Sequence, residues 1–271
     1  MRFIKSTLCV LLCAALLLCA ACGKTDDEDS GRTFRGYRIV GTYEDEGSYL
    51  IAFRQDDRLC EIITAVLHEL AANGTLRSAC LNWFSSDITC VKAEQGAMDE
   101  LWPQVEDRTL VVGVDITNKP LSYSDNDTCY GFDVDVASYI CGYLGWSMIL
   151  RPITFSDTEI ELQSGNVDIV MGVPSGSVVS TLDYSPTYLS SKYVLVTTVG
   201  SGIRTKNDMA GKNLGAMISD LAVLQSDEKF IASLDRVTYE TKTEGLFTAL
   251  ANGSVDSILV SSAIASYYMS A

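Results

Sequence analysis

Carboxylates are the side chains most able to do acid-base chemistry in this chain, because its only imidazole is His68. Glu69 follows His68, but no second His exists, so the pair lacks the spacing of a zinc protease motif. The single His also excludes any His-based triad that does not place it within a helix. Asp133 and Asp135 form a close carboxylate pair, which we expect to cap a helix because Asp is favoured in a first turn.

Phosphate-binding loops are missing from the sequence. It contains no Walker or dinucleotide fingerprint, and the segments 131–135 and 200–202 have too few glycines to cradle phosphates. The formal net charge is −15 at pH 7, so phosphate backbones would be repelled. We therefore predict no cofactor and no nucleic-acid partner.

The N-terminus has the pattern of an export signal. Arg2 and Lys5 form a short basic region, and an almost wholly apolar run of about 14 residues follows from Leu8 to Ala21. A membrane-spanning helix needs about 20 apolar residues, so residues 1–21 are better interpreted as a cleaved signal peptide.

Cys22 is the predicted lipid attachment site. Ala20, Ala21, Cys22 and Gly23 resemble the bacterial lipobox, although Cys19 occupies the position usually held by Leu. Ordinary cleavage without lipidation is the alternative. The acidic stretch that follows predicts a solvated tether over residues 22–33. This places the protein on the extracytoplasmic face of the cell membrane.

Nine cysteines occur, and four of them belong to the signal and the lipobox. The other five lack the paired close spacing of a zinc site, so no metal is predicted. Export permits disulfides, and Cys80 and Cys90 are closest in sequence, but an odd number leaves at least one thiol unpaired. The five are Cys60, Cys80, Cys90, Cys129 and Cys141.

Helix and strand patterns alternate in a way typical of a parallel α/β sheet. Apolar residues recur at helical spacing from Leu59 to Leu70, and Asn73 with Gly74 ends the pattern. Leu110 to Val114 is an apolar run of strand length, and a helical pattern over 134–144 follows. The fold class predicted is α/β.

Two segments echo each other, residues 162–170 and residues 250–258. Each contains the end of a helix, a Gly suited to a left-handed cap, and a strand entered through Val-Asp. The echo predicts two lobes built on one α/β plan, while a chance repeat of a common helix-to-strand junction is the alternative.

These residues carry a resemblance to a known family. Leu110 to Val114, the sequence Gly-Phe-Asp-Val-Asp at 131–135, and the segments 162–168, 183–188 and 209–212 look like the polar amino-acid-binding family of type II periplasmic binding proteins. The likeness runs from about Arg108 to the end. It implies a two-lobed fold with a hinge, and a function as the solute receptor of an ABC importer.

The family's closing elements resemble segments at the other end of this chain, which predicts a circular permutant. Tyr37 to Gly41 resembles the returning strand, and residues 49–84 resemble the re-entry strand, the long helix and the terminus. Lobe two would then comprise residues 34–47 and 189–271, and lobe one residues 48–188, with 91–107 as the new linker. A fragment of a tandem duplication is the rival, but it would leave both copies incomplete.

The resemblance also implies a ligand cleft between the lobes and hinge strands near 45–49 and 188–192. In lobe one the cleft residues would be Asp115, Asn118, Phe155, Gly172, Pro174 and Ser175. In lobe two they would be Met217, Ser219, Asp220 and Ser261.

Both ends of the family's usual amino-acid grip are missing here. The Arg that pairs with the α-carboxylate is absent from residues 172–180, and the Asp that binds the α-ammonium is replaced by Ser261. An unpaired ligand charge in a desolvated cleft is costly, so α-amino acids should bind poorly unless a group such as Lys119 substitutes. Phe155 is suited to stack on a ligand and equally to a place in the core.

Three function hypotheses follow. The first is a monomeric solute-binding lipoprotein that delivers a small polar solute to ABC permease subunits, with no catalytic residue. The second is an enzyme of the dehydratase or murein-cleaving type, for which Asp115 or Asp220 would be the acid-base group. The third is a degenerate sensing or interaction protein, supported by the missing Arg and Asp.

Overall fold

Strands and helices alternate along the computed structural model, which describes residues 33–34 and 36–270. The strands are β1 (Thr33–Phe34), β2 (Tyr37–Glu46), β3 (Tyr49–Arg54), β4 (Thr109–Val114), β5 (Thr117–Asn118), β6 (Ser122–Asp125), β7 (Thr128–Tyr130), β8 (Ser147–Pro152), β9 (Ile169–Pro174), β10 (Leu182–Tyr184), β11 (Lys192–Thr198), β12 (Asn213–Met217), β13 (Arg236–Glu240) and β14 (Ser257–Ser261). The α-helices are α1 (Arg58–Ala72), α2 (Thr75–Phe84), α3 (Phe132–Leu144), α4 (Thr158–Gln163), α5 (Leu221–Gln225), α6 (Glu228–Ser233), α7 (Thr243–Ala251) and α8 (Ser262–Ser270). The predicted α/β class is confirmed.

Two large sheets form the framework of the two lobes. The five-stranded sheet of lobe one has the order β10-β3-β9-β4-β8, and the six-stranded sheet of lobe two has the order β1-β2-β11-β14-β12-β13. In lobe one, β4 is parallel to its neighbours β8 and β9. In lobe two, β12 is parallel to its neighbours β13 and β14. A small sheet of β5, β6 and β7 projects from lobe one.

Strands from the first fifty residues divide between the two lobes. β2 runs antiparallel to β11, with Ile39 opposite Val196, whereas β3 runs antiparallel to β9, with Ala52 opposite Val170. Lobe two therefore contains strands from both ends of the described chain.

The predicted signal peptide, Cys22 and the tether up to residue 32 lie outside the described residues. Residue 33, the last one assigned to the tether, belongs instead to β1, where Thr33 pairs with Arg38.

The echoed sequences form equivalent junctions in the two lobes. α4 ends before Gly165 and leads into β9, and α7 ends before Gly253 and leads into β14. At each junction the Asp of the Val-Asp pair accepts a hydrogen bond from the first residues of the neighbouring parallel strand. Asp168 Oδ2 accepts from Val111 N at 2.8 Å, and Asp256 Oδ2 accepts from Asn213 N at 2.8 Å. The sequence repeat thus has a structural cause, because an equivalent Asp carboxylate fixes the register of the neighbouring strand in each sheet.

The long helix α1 has the pattern expected from the sequence. Asp57 caps its N-terminus by accepting a hydrogen bond from Leu59 N at 3.0 Å, and Asn73 follows its last turn. Its apolar face, which includes Ile63, Val66 and Leu67, is buried against lobe one.

Residues 91–107, predicted as a linker, pack closely on lobe one. Met98 is fully buried, and its N–H donates to Glu69 Oε1 at 3.3 Å. Trp102 stacks on Tyr143 of α3 with ring centroids 5.7 Å apart. The segment therefore contributes to the core as well as joining two parts of the chain.

The five cysteines of the described chain are free thiols, with Cys80 and Cys141 buried. None of the helices in the described part of the chain is both long and apolar enough to cross a membrane.

Candidate functional site

The chain passes between the lobes at two adjacent segments, residues 45–49 and 188–192. Two backbone hydrogen bonds join them, from Tyr49 N to Leu189 O and from Tyr188 N to Tyr49 O, each 3.0 Å long. Paired crossings of this kind allow the lobes to rotate about a shared axis while their interiors stay intact.

A cavity of about 700 Å³ lies between the lobes, and a recess of about 20 Å³ adjoins it. Asn118, Phe155, Met217 and Ser219 line both spaces, so the two form one continuous cleft. The cleft lies at the carboxyl ends of β4, β9 and β12, where ligands generally bind in α/β proteins.

Eight of the ten predicted ligand-contacting residues line this cleft. They are Asp115, Asn118, Phe155, Pro174, Met217, Ser219, Asp220 and Ser261. Their contact with a ligand stays a prediction, since lining a cavity does not identify what fills it.

Gly172 and Ser175 are not among the residues that line the cleft. A side chain at Gly172, where φ is +73°, would place its Cβ 2.2 Å from Asp133 Oδ2 and 3.6 Å from Phe155 Cζ. Residue 172 therefore has to be glycine, because any side chain there would collide with Asp133. Ser175 donates its backbone N–H to Ser48 O at 2.8 Å and so lies at a crossing segment.

Asp115 is a buried carboxylate that is held by the loop after β4. Its Oδ1 accepts from the N–H and the hydroxyl of Thr117 at 3.0 and 2.6 Å, and its Oδ2 accepts from Phe155 N at 3.2 Å. The last of these bonds fixes the backbone of Phe155 relative to the end of β4. Carboxylate oxygens have two lone pairs each, so Asp115 retains capacity to accept from a ligand.

Asp220 is the buried carboxylate of lobe two. Tyr193 Oη donates to its Oδ1 at 3.0 Å, and Ser219 Oγ donates to the same oxygen at 3.2 Å. Burial raises the pKa of Asp220 to about 7, and the hydrogen bonds only partly oppose that effect. A cation brought next to this group would favour its ionised form.

Ser261 is occupied by contacts within the protein. Tyr49 Oη donates to Ser261 Oγ at 2.8 Å, and Ile264 N donates to the same oxygen at 3.3 Å. Tyr49 and Tyr193 also line the recess, but they were not predicted as cleft residues from the sequence. Tyr49 lies in one crossing segment and Tyr193 directly follows the other, and this closeness to the predicted hinge could have identified them.

Asp133 does not cap α3, contrary to the expectation. The N-cap is Gly131, without a side-chain bond, and Asp133 instead accepts a hydrogen bond from Tyr188 Oη at its Oδ1. Its Oδ2 is buried and has no partner among the described residues. Burial raises the pKa of Asp133 to about 7. Asp135 is likewise used elsewhere, since it accepts from Trp83 Nε1 at 2.8 Å.

No Lys, Arg or His lines the cleft in the described part of the chain. Lys119, the predicted substitute for the missing Arg, places its Nζ 4.7 Å from the ring centroid of Tyr123 in the β5-β6-β7 sheet. It is absent from both linings. The arrangement gives a ligand carboxylate no side-chain cation to pair with.

The hydroxyl of Thr243 joins the lobes at the rim of the cleft. Thr243, at the start of α7, is fully buried and donates its hydroxyl to Lys119 O at 3.0 Å. The contact links lobe two directly to the loop that carries Asn118.

A cleft between two α/β lobes joined by paired crossings defines a two-lobed binding protein. The chain belongs to the bacterial extracellular solute-binding proteins, family 3, whose model matches residues 110–254, slightly more than half of the sequence. This agrees with the family expected from the Gly-Phe-Asp-Val-Asp motif.

Similar proteins bind amino acids, according to their names. The chain is 26% identical over 116 residues to the arginine-binding extracellular protein ArtP of Bacillus subtilis, a match that covers 42% of this chain and 46% of ArtP. It is 25% identical over 202 residues to a probable histidine-binding protein of Campylobacter jejuni, covering 73% of each. An ABC uptake transporter substrate-binding protein from Streptococcus pneumoniae with bound histidine matches at 25% identity and a TM-score of 0.51, over 65% of this chain and 73% of that one. The chain thus spans less than half of ArtP.

Across residues 33–34 and 36–270, no group of three or more His, Cys, Asp or Glu residues is arranged to hold a metal ion.

The raised pKa of Asp133 predicts a pH-dependent stability. Because the folded state holds this proton up to about pH 7 while an unfolded Asp releases it near 4, the free energy of unfolding should fall as pH rises through that window. Asp133→Asn should make this slope shallower by up to about 1.4 kcal/mol per pH unit. Denaturant titrations between pH 4.5 and 7.5 measure it.

Asp125→Asn, at an exposed position of β6, is the matched control and should keep the wild-type slope. Parallel pH curves for the wild type and Asp133→Asn would show that the Asp133 carboxyl is not protonated in the folded state.

Proposed function

We propose that the chain is a lipid-anchored extracytoplasmic receptor, which binds a small polar solute and delivers it to the permease subunits of an ABC importer. The observation that carries this proposal is the cavity of about 700 Å³ between the two lobes. Its volume lies in the range of small-molecule sites, and the polar groups that converge on it suit a polar solute. Membership of the extracellular solute-binding family supports the same function.

The expected mechanism is closure of the lobes around the solute. A solute that contacts Asn118 and Phe155 from lobe one and Asp220 from lobe two makes all of these contacts only when the lobes are close together. Its binding free energy therefore favours the closed form, which is the form a permease would need to distinguish.

Enzymatic activity on this fold is a second candidate function. The observation in its favour is that burial raises the pKa of Asp220 to about 7, close to the value expected of an acid-base catalyst. The binding function is supported better, because the oxygens of Asp115, the other candidate acid-base group, both accept hydrogen bonds from backbone N–H groups, those of Thr117 and Phe155. Chromatography of a solute after incubation with the protein distinguishes the two functions, because only an enzyme would convert the solute into a product.

A circular permutation is the arrangement that we propose for the family fold in this chain. Support comes from β2, which pairs with β11 in lobe two, and from β3, which pairs with β9 in lobe one. Residues 91–107 run from the end of the α2 region to β4 and pack on α1 and α3.

A rejoined chain tests the permutation. Residues 91–270 followed by a short Gly-Ser linker and residues 33–90 should fold cooperatively, because this order keeps the packing of Met98 and the termini of compact domains usually lie at the surface and often near each other. Circular dichroism melting compares it with the natural order. Cooperative folding of residues 33–107 as a separate domain would contradict the proposal.

The proposed lipid anchor predicts the behaviour of a Cys22 variant. Cys22→Ser should move the protein from the membrane fraction to the soluble fraction, because the serine hydroxyl cannot replace the acylated thiol. Cell fractionation and immunoblotting measure this. Cys90→Ser, which removes an exposed thiol, is the control and should stay with the membrane. Membrane retention of the Cys22→Ser protein would show that another feature anchors the chain.

The receptor function predicts that a solute stabilises the protein. A ligand at 100 times its Kd adds about 2.7 kcal/mol to the free energy of unfolding, and the melting temperature should rise accordingly. A thermal-shift screen against amino acids, amines, peptides and sugars measures this effect.

Asn118→Ala should lose most of the shift, whereas Ser124→Ala, at an exposed position of β6, should keep it. A screen in which no compound of any class raises the melting temperature would count against the receptor function and favour a degenerate protein.

A further inference from the structure

The cleft is acidic on both of its sides. Asp115 and Glu159 line it from lobe one, and Asp220 and Glu240 line it from lobe two. The lining has no basic side chain in the described chain, as noted above. A solute that enters the cleft therefore meets carboxylates from both lobes.

None of these four carboxylates takes part in an ion pair among the described residues. The carboxylates that do pair with Lys or Arg lie elsewhere, at Asp57, Asp87, Glu94, Asp168 and Asp227. Glu159 accepts only from uncharged groups, at 2.6 Å from Thr181 Oγ1 and 3.1 Å from Gln163 Nε2. No ion pair among the described residues therefore neutralises the carboxylates of the cleft.

Asn118 supplies an observation of a different kind that also points to a ligand. Its side chain is 9% exposed and lines both the cavity and the recess. The Asn118 amide makes no hydrogen bond with any described residue, although the backbone oxygen of Asn118 accepts from Leu121 N. The amide is open to the cleft and has an acceptor and two donors free, so it is placed to bond a molecule there.

An apolar surface lies beside these groups. Phe155 is half-buried and lines both spaces, and its position is fixed by Asp115 through the 3.2 Å bond to the backbone. An aromatic face next to carboxylates suits a cationic group and the methylene chain attached to it.

We infer that the solute is an organic cation without a carboxylate, of the aliphatic amine or guanidine class. This inference rests on the proposed receptor function and specifies its substrate class. An α-amino acid would bring its own carboxylate into a desolvated cleft that offers four acidic side chains and no cation, which is unfavourable. Removing that carboxylate leaves an amine or guanidinium group, whose N–H donors match the acceptors at Asp115, Asp220 and Asn118.

The electrostatics of the whole chain act in the same direction. The formal net charge of −15 attracts cations toward the protein and repels anions. Burial raises the pKa of Asp220 to about 7, and a cation bound beside this carboxyl would favour its ionised form.

Matched pairs of compounds test the inference directly. Agmatine is arginine without its carboxylate, and cadaverine and putrescine are related in the same way to lysine and ornithine. We expect at least one amine of these pairs to bind 10-fold or more tightly than its parent amino acid. Isothermal titration of the purified protein at one fixed ionic strength measures each pair, because salt screens charge interactions.

Charge-neutral variants locate the interaction. Asp220→Asn and Glu240→Gln should each weaken amine binding by 10-fold or more. Asp235→Asn, at an exposed position outside the cleft, changes the net charge equally and should leave the affinity within 2-fold of wild type. The Glu240 variant keeps the test valid should Asp220→Asn fail to fold, since Glu240 is half-buried at the end of β13.

The outcomes separate this inference from the function on which it rests. Equal or tighter binding of the parent amino acids, or binding of a neutral sugar or peptide alone, would overturn the cation inference and leave the receptor function intact. Failure of every compound class to bind would overturn both. Equal weakening by Asp235→Asn and Asp220→Asn would show that net charge, rather than the cleft, attracts the amine.

Discussion

The paired crossings at residues 45–49 and 188–192 are the constraint on which the rest of the structure depends. The two lobes can enclose a cavity only if the connecting segments lie side by side, because widely separated connections would lock the lobes in one orientation. The hydrogen bonds between Tyr49 and the segment 188–189 hold the crossings together. The same segments place Tyr49 and Tyr193 against the recess, so the hinge and the wall of the cleft are built from the same residues.

Buried and half-buried carboxylates organise the two lobes in two different ways. Asp168 and Asp256 are structural, since each accepts a hydrogen bond from the neighbouring parallel strand at an equivalent junction. Asp168 also pairs with Arg108 at 2.8 Å. Asp115 and Asp220, by contrast, have only uncharged partners and face the cleft. Asp115 and Asp220 line the cleft and Asp168 and Asp256 do not, so position separates the carboxylates available to a solute from those that only stabilise the fold.

The sequence was sufficient for the elements and for eight of the residues that line the cleft. Apolar runs located β4 and α1 because burial on one or both faces imposes a visible period. Asp133 was misjudged because local pattern favours a cap, while its actual partner, Tyr188, lies 55 residues away in sequence. The packing of Met98 was also not predictable, since residues 91–107 have no periodicity that would show which side chain enters the core.

The bond from Thr243 to Lys119 O has a consequence for the affinity of the cleft. It joins protein groups of the two lobes, so its free energy acts whether or not a solute is present. Each contribution to closure of the empty protein increases the population that is already competent to bind, and apparent affinity rises in proportion to that population. The same contribution slows reopening and so delays release of the solute. Under the proposed receptor function, Thr243 would therefore affect both capture and release of the solute, although it does not line the cleft.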